Sequence, residues 1–162
     1  MAKTTVEMAF QSPSHDHHAC VEDALRAAAE ICERRGTRLT DLRRRILEVV
    51  WNTHSPIGAY DIIRALGSQG RAIVPTTVYR VLAFLEKQTF IHRLESLNAY
   101  VGCSRPGAPH SAQFQICGDC GSVAAVDDPA IADAIARSAR KTGFKVASTM
   151  IELKGLCPNC QQ

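Results

Sequence analysis

Between residues 75 and 87 apolar side chains recur at Val78, Val81, Leu82 and Leu85, the i, i+3, i+4, i+7 spacing of one helix face. Pro75 suits the first helical turn, where a missing N–H costs nothing. The opposite face carries Thr76, Arg80, Ala83 and Lys87, with Tyr79 on its flank. The same period predicts three earlier helices. Residues 20–35 turn Leu25, Ala28 and Cys32 inward and stop at Gly36. Thr40 caps a helix to about Asn52, with Leu42, Ile46, Val49 and Val50 inward. Ala59 to Leu66 uses Ile62, Ile63 and Leu66. Ser55–Gly58 reads as a loop, Gly67–Gly70 as a turn, and His54, beside Trp51, as structural.

After Gln88 the period drops from 3.6 to 2. Phe90–Glu95 and Ala99–Cys103 are two short strands around Ser96-Leu97-Asn98. Helices followed by a β-hairpin form the winged helix-turn-helix pattern, in which the 75–87 helix is the one that enters a DNA groove and the hairpin is the wing. Ser104–Pro109 is a breaker-rich linker. Beyond it, Phe114–Cys117 and Ser122–Asp127 read as strands. Asp128 and Pro129 open a helix that Gly143 ends, and Phe144–Leu153 reads as a long strand. The expected organisation is a loose tail over 1–19, a winged-helix DNA-binding domain over 20–103, a hinge over 104–109 and a small α/β dimerisation domain over 110–162. The fold class is α+β.

Hydrophobic residues make up 46% of the 162, enough for packed cores. No run reaches the ~18 apolar residues of a membrane span, and no signal peptide opens the chain, so a cytoplasmic protein without a membrane partner is expected. Net charge is only +3. Its distribution matters more, because residues 34–45 hold six arginines against the single Asp41. That cluster favours a polyanion. Arg38 and Arg44 are expected to attract the phosphate backbone, as is Lys87. Arg80 is expected to read a base, Tyr79 to meet base or phosphate, and Thr76 to share the groove-facing front. The expected partner is double-stranded DNA, with no small-molecule substrate.

Seven cysteines without an export signal suggest metal or redox chemistry rather than disulfides. Cys117-Gly118-Asp119-Cys120-Gly121 and Cys157-Pro158-Asn159-Cys160 are paired CxxC knuckles. Four such thiolates make a closed tetrahedral set for a structural Zn²⁺, which would staple a domain of marginal size. Cys103 at the end of the wing, His92 on its partner strand and His110 beyond the linker form a second, borderline-soft set suited to Zn²⁺. His15, Asp16, His17 and His18 in the tail, with Cys20, could hold metal only adventitiously. No nearby Glu supplies a general base, so a zinc hydrolase is disfavoured and no enzyme is expected. A redox switch built on the CxxC pairs is the other alternative.

Several runs together carry a family resemblance. They are Arg38-Leu39-Thr40 with Arg43, Ala59-Tyr60-Asp61, Thr77-Val78-Tyr79-Arg80, Cys117-Gly118-Asp119-Cys120-Gly121 and Gly155-Leu156-Cys157-Pro158-Asn159-Cys160. Over about residues 21–160 the chain resembles the ferric uptake regulator family. The resemblance implies a dimeric, metal-responsive transcriptional regulator with one structural and one regulatory zinc per chain. Ser111–Ile116 lacks the His-rich run of iron and peroxide sensors, which points to the zinc uptake branch, a repressor of zinc acquisition genes. An iron or peroxide sensor is the alternative within the family. The resemblance assigns His92, Cys103 and His110 to the regulatory metal and expects a Glu where this chain has Ala125. Asp127, a water, an N-terminal His or a group from a partner chain remains for the fourth position.

Overall fold

A helix with one apolar face needs something to bury it, and four such helices here bury theirs on one another. In the computed structural model, which describes residues 4–10, 16–53, 55–68, 73–108 and 110–161, they are α1 (His17–Arg34), α2 (Asp41–Trp51), α3 (Ala59–Gly67) and α4 (Pro75–Lys87). Leu25, Ala28, Ile31 and Cys32 of α1 meet Ile46, Leu47 and Val50 of α2, Ile62 and Leu66 of α3, and Val78, Leu82 and Leu85 of α4 in one core. Asp16 caps α1, its carboxylate accepting from the backbone N–H of His18 and Ala19. His17 and His18 therefore open a helix rather than lie in a tail. His15, His54, Gln69, Gly70 and Pro109 lie outside the described residues.

The wing is a three-stranded sheet in the order β2 (Ile57–Gly58), β4 (Ala99–Gly102), β3 (Ile91–Leu94). Ile57-Gly58, expected within a loop, instead adds a two-residue strand to the outer side of β4. Across the hairpin His92 pairs with Val101, and the Cys103 N–H donates to the Phe90 carbonyl at 3.0 Å. Ser104–Ala108 groups with this winged unit, which spans Ser12–Ala108, and the Gly107 N–H donates to Thr89 Oγ1.

The other unit joins Met1–Gln11 to Pro109–Gln162. Its sheet runs β1 (Thr5–Met8), β6 (Val123–Asp127), β5 (Gln113–Cys117), β7 (Ile151–Gly155). β5 and β7 are parallel and the other pairs antiparallel. Two expectations are corrected. Thr5–Met8 is a sheet strand and not loose tail, because β6 offers it an antiparallel edge. The strand expected over 144–153 begins only at Ile151, where β5 provides a hydrogen-bonding neighbour. The helix α5 (Pro129–Lys141) starts and stops as the sequence predicts, with Asp128 accepting from the Ala130 N–H at 2.9 Å.

Gly102 is a packing constraint within the wing. A Cβ there would lie 2.3 Å from Cε2 of Trp51. No side chain fits without displacing the indole or the strand that ends at Cys103. Gly102→Ala should cost ~1–3 kcal/mol and lower the melting temperature by several degrees. A variant that melts with the wild type would show that the strand has room to shift.

Candidate metal centres and nucleic-acid interface

The two CxxC knuckles meet because β5 and β7 run side by side. Cys117 ends β5, opposite Gly155, and the Gly118 N–H donates to the Gly155 carbonyl at 2.8 Å. Cys157 follows two residues later, and Pro158–Cys160 form one 3₁₀ turn. Gly121 adopts φ +72, which lets the first knuckle turn back so that its N–H reaches the Cys117 carbonyl. The ligand atoms of Cys117, Cys120, Cys157 and Cys160 all lie within 4.8 Å of one another. The Cys120 and Cys157 sulfurs are 3.7 Å apart. A tetrahedron with ~2.3 Å metal–sulfur bonds has an edge of ~3.8 Å, so the four sulfurs fit Zn²⁺ and leave no position for water.

The thiols are not equivalent. Backbone hydrogen bonds from Cys120 and Cys157 lower the Cys117 pKa to about 6. The Ser122 hydroxyl, 2.9 Å away, lowers that of Cys120. Side-chain hydrogen bonding to Cys157 and Cys120 pushes Cys160 up to about 12. At neutral pH the metal-free cluster thus holds thiolate at Cys117 and a proton at Cys160. Metal capture must displace the remaining protons, and acid opposes it.

In the winged unit, the ligand atoms of His92 and Cys103 come within 4.8 Å of each other. Cys103 is buried and His92 half-buried. The hairpin register accounts for this, since Cys103 lies two residues beyond the Val101 that pairs with His92, on the same strand face. His110 belongs to the other unit, where its Nε2 lies 3.8 Å from the Glu7 carboxylate. Ala125 sits mid-strand in β6 and offers no donor, while Asp127 ends β6 opposite Thr5. The sequence gives no sign that Glu7 and His110 meet, since Glu7 is a lone acid in a four-residue strand.

The front of α4 is open to solvent. Thr76, Tyr79, Arg80, Ala83 and Lys87 are all exposed, while Val78, Val81, Leu82 and Leu85 are buried. Exposed Tyr79 and Tyr60 are large aromatic rings at 54% and 77% exposure, which suits contact with a partner rather than core packing. The arginine cluster divides by role. Arg43 lies over the Phe84 ring, 3.4 Å from its centroid, and donates to the Arg38 carbonyl, fixing α2 to α4. Arg35 donates to the Gln88 carbonyl and side chain. Arg38 and Arg44 are exposed.

Residues 34–154 match the profile of the ferric uptake regulator family. The zinc uptake regulation protein of Escherichia coli (strain K12) is 36% identical over 140 residues, covering 86% of this chain and 82% of that protein. The chain belongs to the ferric uptake regulator family. The peroxide operon regulator of Bacillus subtilis (strain 168), another relative, is 28% identical over 138 residues, covering 85% of this chain and 94% of that one. A solved zinc uptake regulator complexed with zinc and DNA superposes with a TM-score of 0.82 at 35% identity, covering 86% of this chain and 94% of that one. The fold is α+β, with the winged helix-turn-helix unit of the ferric uptake regulator family followed by a small α/β unit that carries the four-cysteine cluster. No helix among the described residues is long and apolar enough to cross a membrane.

Replacing Cys120 with Ser should abolish zinc binding at this cluster and unfold the second unit, read by metal analysis and circular dichroism. In the wild-type protein, zinc should be held less tightly against a chelator as pH falls, because protons compete with the metal for the four thiolates. A metal-free Cys120→Ser protein whose second unit stays folded would remove the staple.

Proposed function

We propose that this protein is a zinc-responsive repressor. It binds operator DNA of zinc acquisition genes as a homodimer in the cytoplasm and performs no catalysis. The observation that carries this is the pairing of an exposed, basic α4 front with a soft donor pair, His92 and Cys103, built into the adjoining wing. The 36% identity to a zinc uptake regulator, against 28% to a peroxide regulator, favours zinc over iron or peroxide as the signal.

Each chain is read as holding two zinc ions. One is structural, at Cys117, Cys120, Cys157 and Cys160. The other is regulatory, held by His92 and Cys103 of the wing together with His110. When bound, zinc supplies a divalent centre that ties these donors together. The wing is thereby joined to the unit that pairs the chains. That unit has surface to pair with, because α5 buries none of its residues and Ile131, Phe144, Val146, Met150 and Leu153 are exposed. Joining wing and pairing unit fixes the spacing of the two α4 fronts. DNA presents half-sites at set intervals, so an unfixed spacing carries an ordering cost on binding. Linkage requires DNA to tighten zinc binding by the factor by which zinc tightens DNA binding.

On the DNA, Arg80 reads a base and Tyr79 and Thr76 share the groove, while Arg38, Arg44 and Lys87 hold phosphates. Arg80→Ala should cost ~1–3 kcal/mol and relax sequence preference. Arg44→Ala should weaken all sequences alike and flatten the dependence on salt. Wild-type sequence preference in Arg80→Ala would take α4 out of the groove.

The decisive measurement is binding to the promoter DNA of zinc acquisition genes titrated against buffered free zinc. Cys103→Ser should remain a folded dimer that keeps its structural zinc yet gains no DNA affinity when zinc is added. A Cys103→Ser protein that still responds to nanomolar zinc, or a wild type that answers Fe²⁺ and not Zn²⁺, overturns the reading.

A further inference from the structure

Arg43 is the third residue of α2, within its first turn. A cation there faces the positive end of the helix dipole, and Thr40 before it makes no side-chain cap. The Arg43 guanidinium nevertheless has two fixed partners. It lies over the Phe84 ring of α4, 3.4 Å from the centroid, and it donates to the Arg38 carbonyl. We propose that Arg43 is a positioning residue for DNA binding, which leaves the phosphates to Arg38 and holds the Arg38 backbone at a set place beside α4; this rests on the DNA-binding reading above.

The chain between α1 and α2 is pinned at successive residues. The Thr37 N–H donates to the Cys32 carbonyl at 2.9 Å, and Leu39 packs against the helical core. Arg38 lies between them with its side chain exposed and its carbonyl taken by Arg43. Helical side chains lean back over the turn before their own Cα, which is the direction in which Arg43 reaches. At the other end of the tie, Phe84 follows Arg80 by four residues and shares its side of α4. Burial of Val78, Leu82 and Leu85 keeps that side from rotating. One guanidinium thus joins the backbone of the proposed phosphate contact to a ring one turn beyond the proposed base reader.

The chemistry of the tie is specific to arginine. A planar guanidinium stacks by its face while an N–H on its edge donates. A lysine ammonium has the same charge but no plane, so it cannot reproduce both contacts in one geometry. The benefit to DNA binding is preorganisation. Ordering one long side chain on association weakens binding ~2–10-fold, and a backbone already held in place avoids part of that loss. Arg38 and Arg80 belong to different elements, and a duplex meets both at once only if their separation is set beforehand.

The test uses zinc-loaded, full-length protein as wild type, Arg38→Ala, Arg43→Lys and Phe84→Leu, with the last two also made in the Arg38→Ala background. The probes are promoter DNA of a zinc acquisition gene and a random-sequence duplex, each titrated over a range of salt. Arg43→Lys keeps the charge and Phe84→Leu changes none. Each should still weaken binding to both probes ~3–10-fold and flatten the salt dependence toward that of Arg38→Ala. In the Arg38→Ala background neither should cause a further loss, because the contact they position is already gone. A further loss there means that Arg43 meets the DNA itself or only supports the fold, and overturns the proposal. Wild-type binding by either Arg43→Lys or Phe84→Leu overturns it as well. Should Arg38→Ala bind both probes as wild type does, Arg38 holds no phosphate and the proposal falls. Relaxed sequence preference in Arg80→Ala, measured alongside, would in that case leave the DNA-binding reading standing.

Discussion

Four sulfurs held within 4.8 Å are the constraint on which the second unit rests. Its helix α5 buries no residue, and its sheet is covered by few large side chains beyond Phe114, Ile116 and Val123. A unit this small has little apolar area to set against chain entropy. A metal ion bound by the cluster would compensate by linking the end of β5 to the segment just past β7, two points far apart in sequence. It would also fix the parallel register of those strands, because Cys117 and Gly155 must stay opposite for the knuckles to face each other.

The winged unit is organised the other way, by burial rather than by metal. Val78, Leu82 and Leu85 are almost wholly enclosed, so α4 cannot rotate without exposing them. The front that carries Thr76, Tyr79 and Arg80 is thereby fixed by its own back. Arg43, stacked on Phe84, adds a cation–π tie between α2 and α4. That tie takes one cation out of the apparent DNA-facing cluster, so the charge run read from sequence serves two purposes.

The parts legible in the sequence are those set by local period and spacing. The limits of α4 followed from Pro75 and the Val78/Val81/Leu82/Leu85 face, and the limits of α5 from Asp128, Pro129 and Gly143. The cysteine knuckles announced their own meeting. What escaped depends on neighbours distant in the chain. Thr5–Met8 is too short to show a period and becomes a strand only because β6 lies beside it. Residues 144–150 have strand-forming composition but form no strand, since β propensity needs a partner edge. The closeness of Glu7 to His110 could not be read either, because it is a product of that same unforeseen pairing.

The packing of Gly102 against Trp51 has one more consequence. Trp51 is the single tryptophan of the chain, and its indole lies against the backbone one residue before Cys103. Its ultraviolet emission therefore arises next to a donor of the wing rather than from an average over the molecule. The protein carries a built-in fluorophore beside Cys103, and changes in the wing can be followed optically in the unlabelled chain.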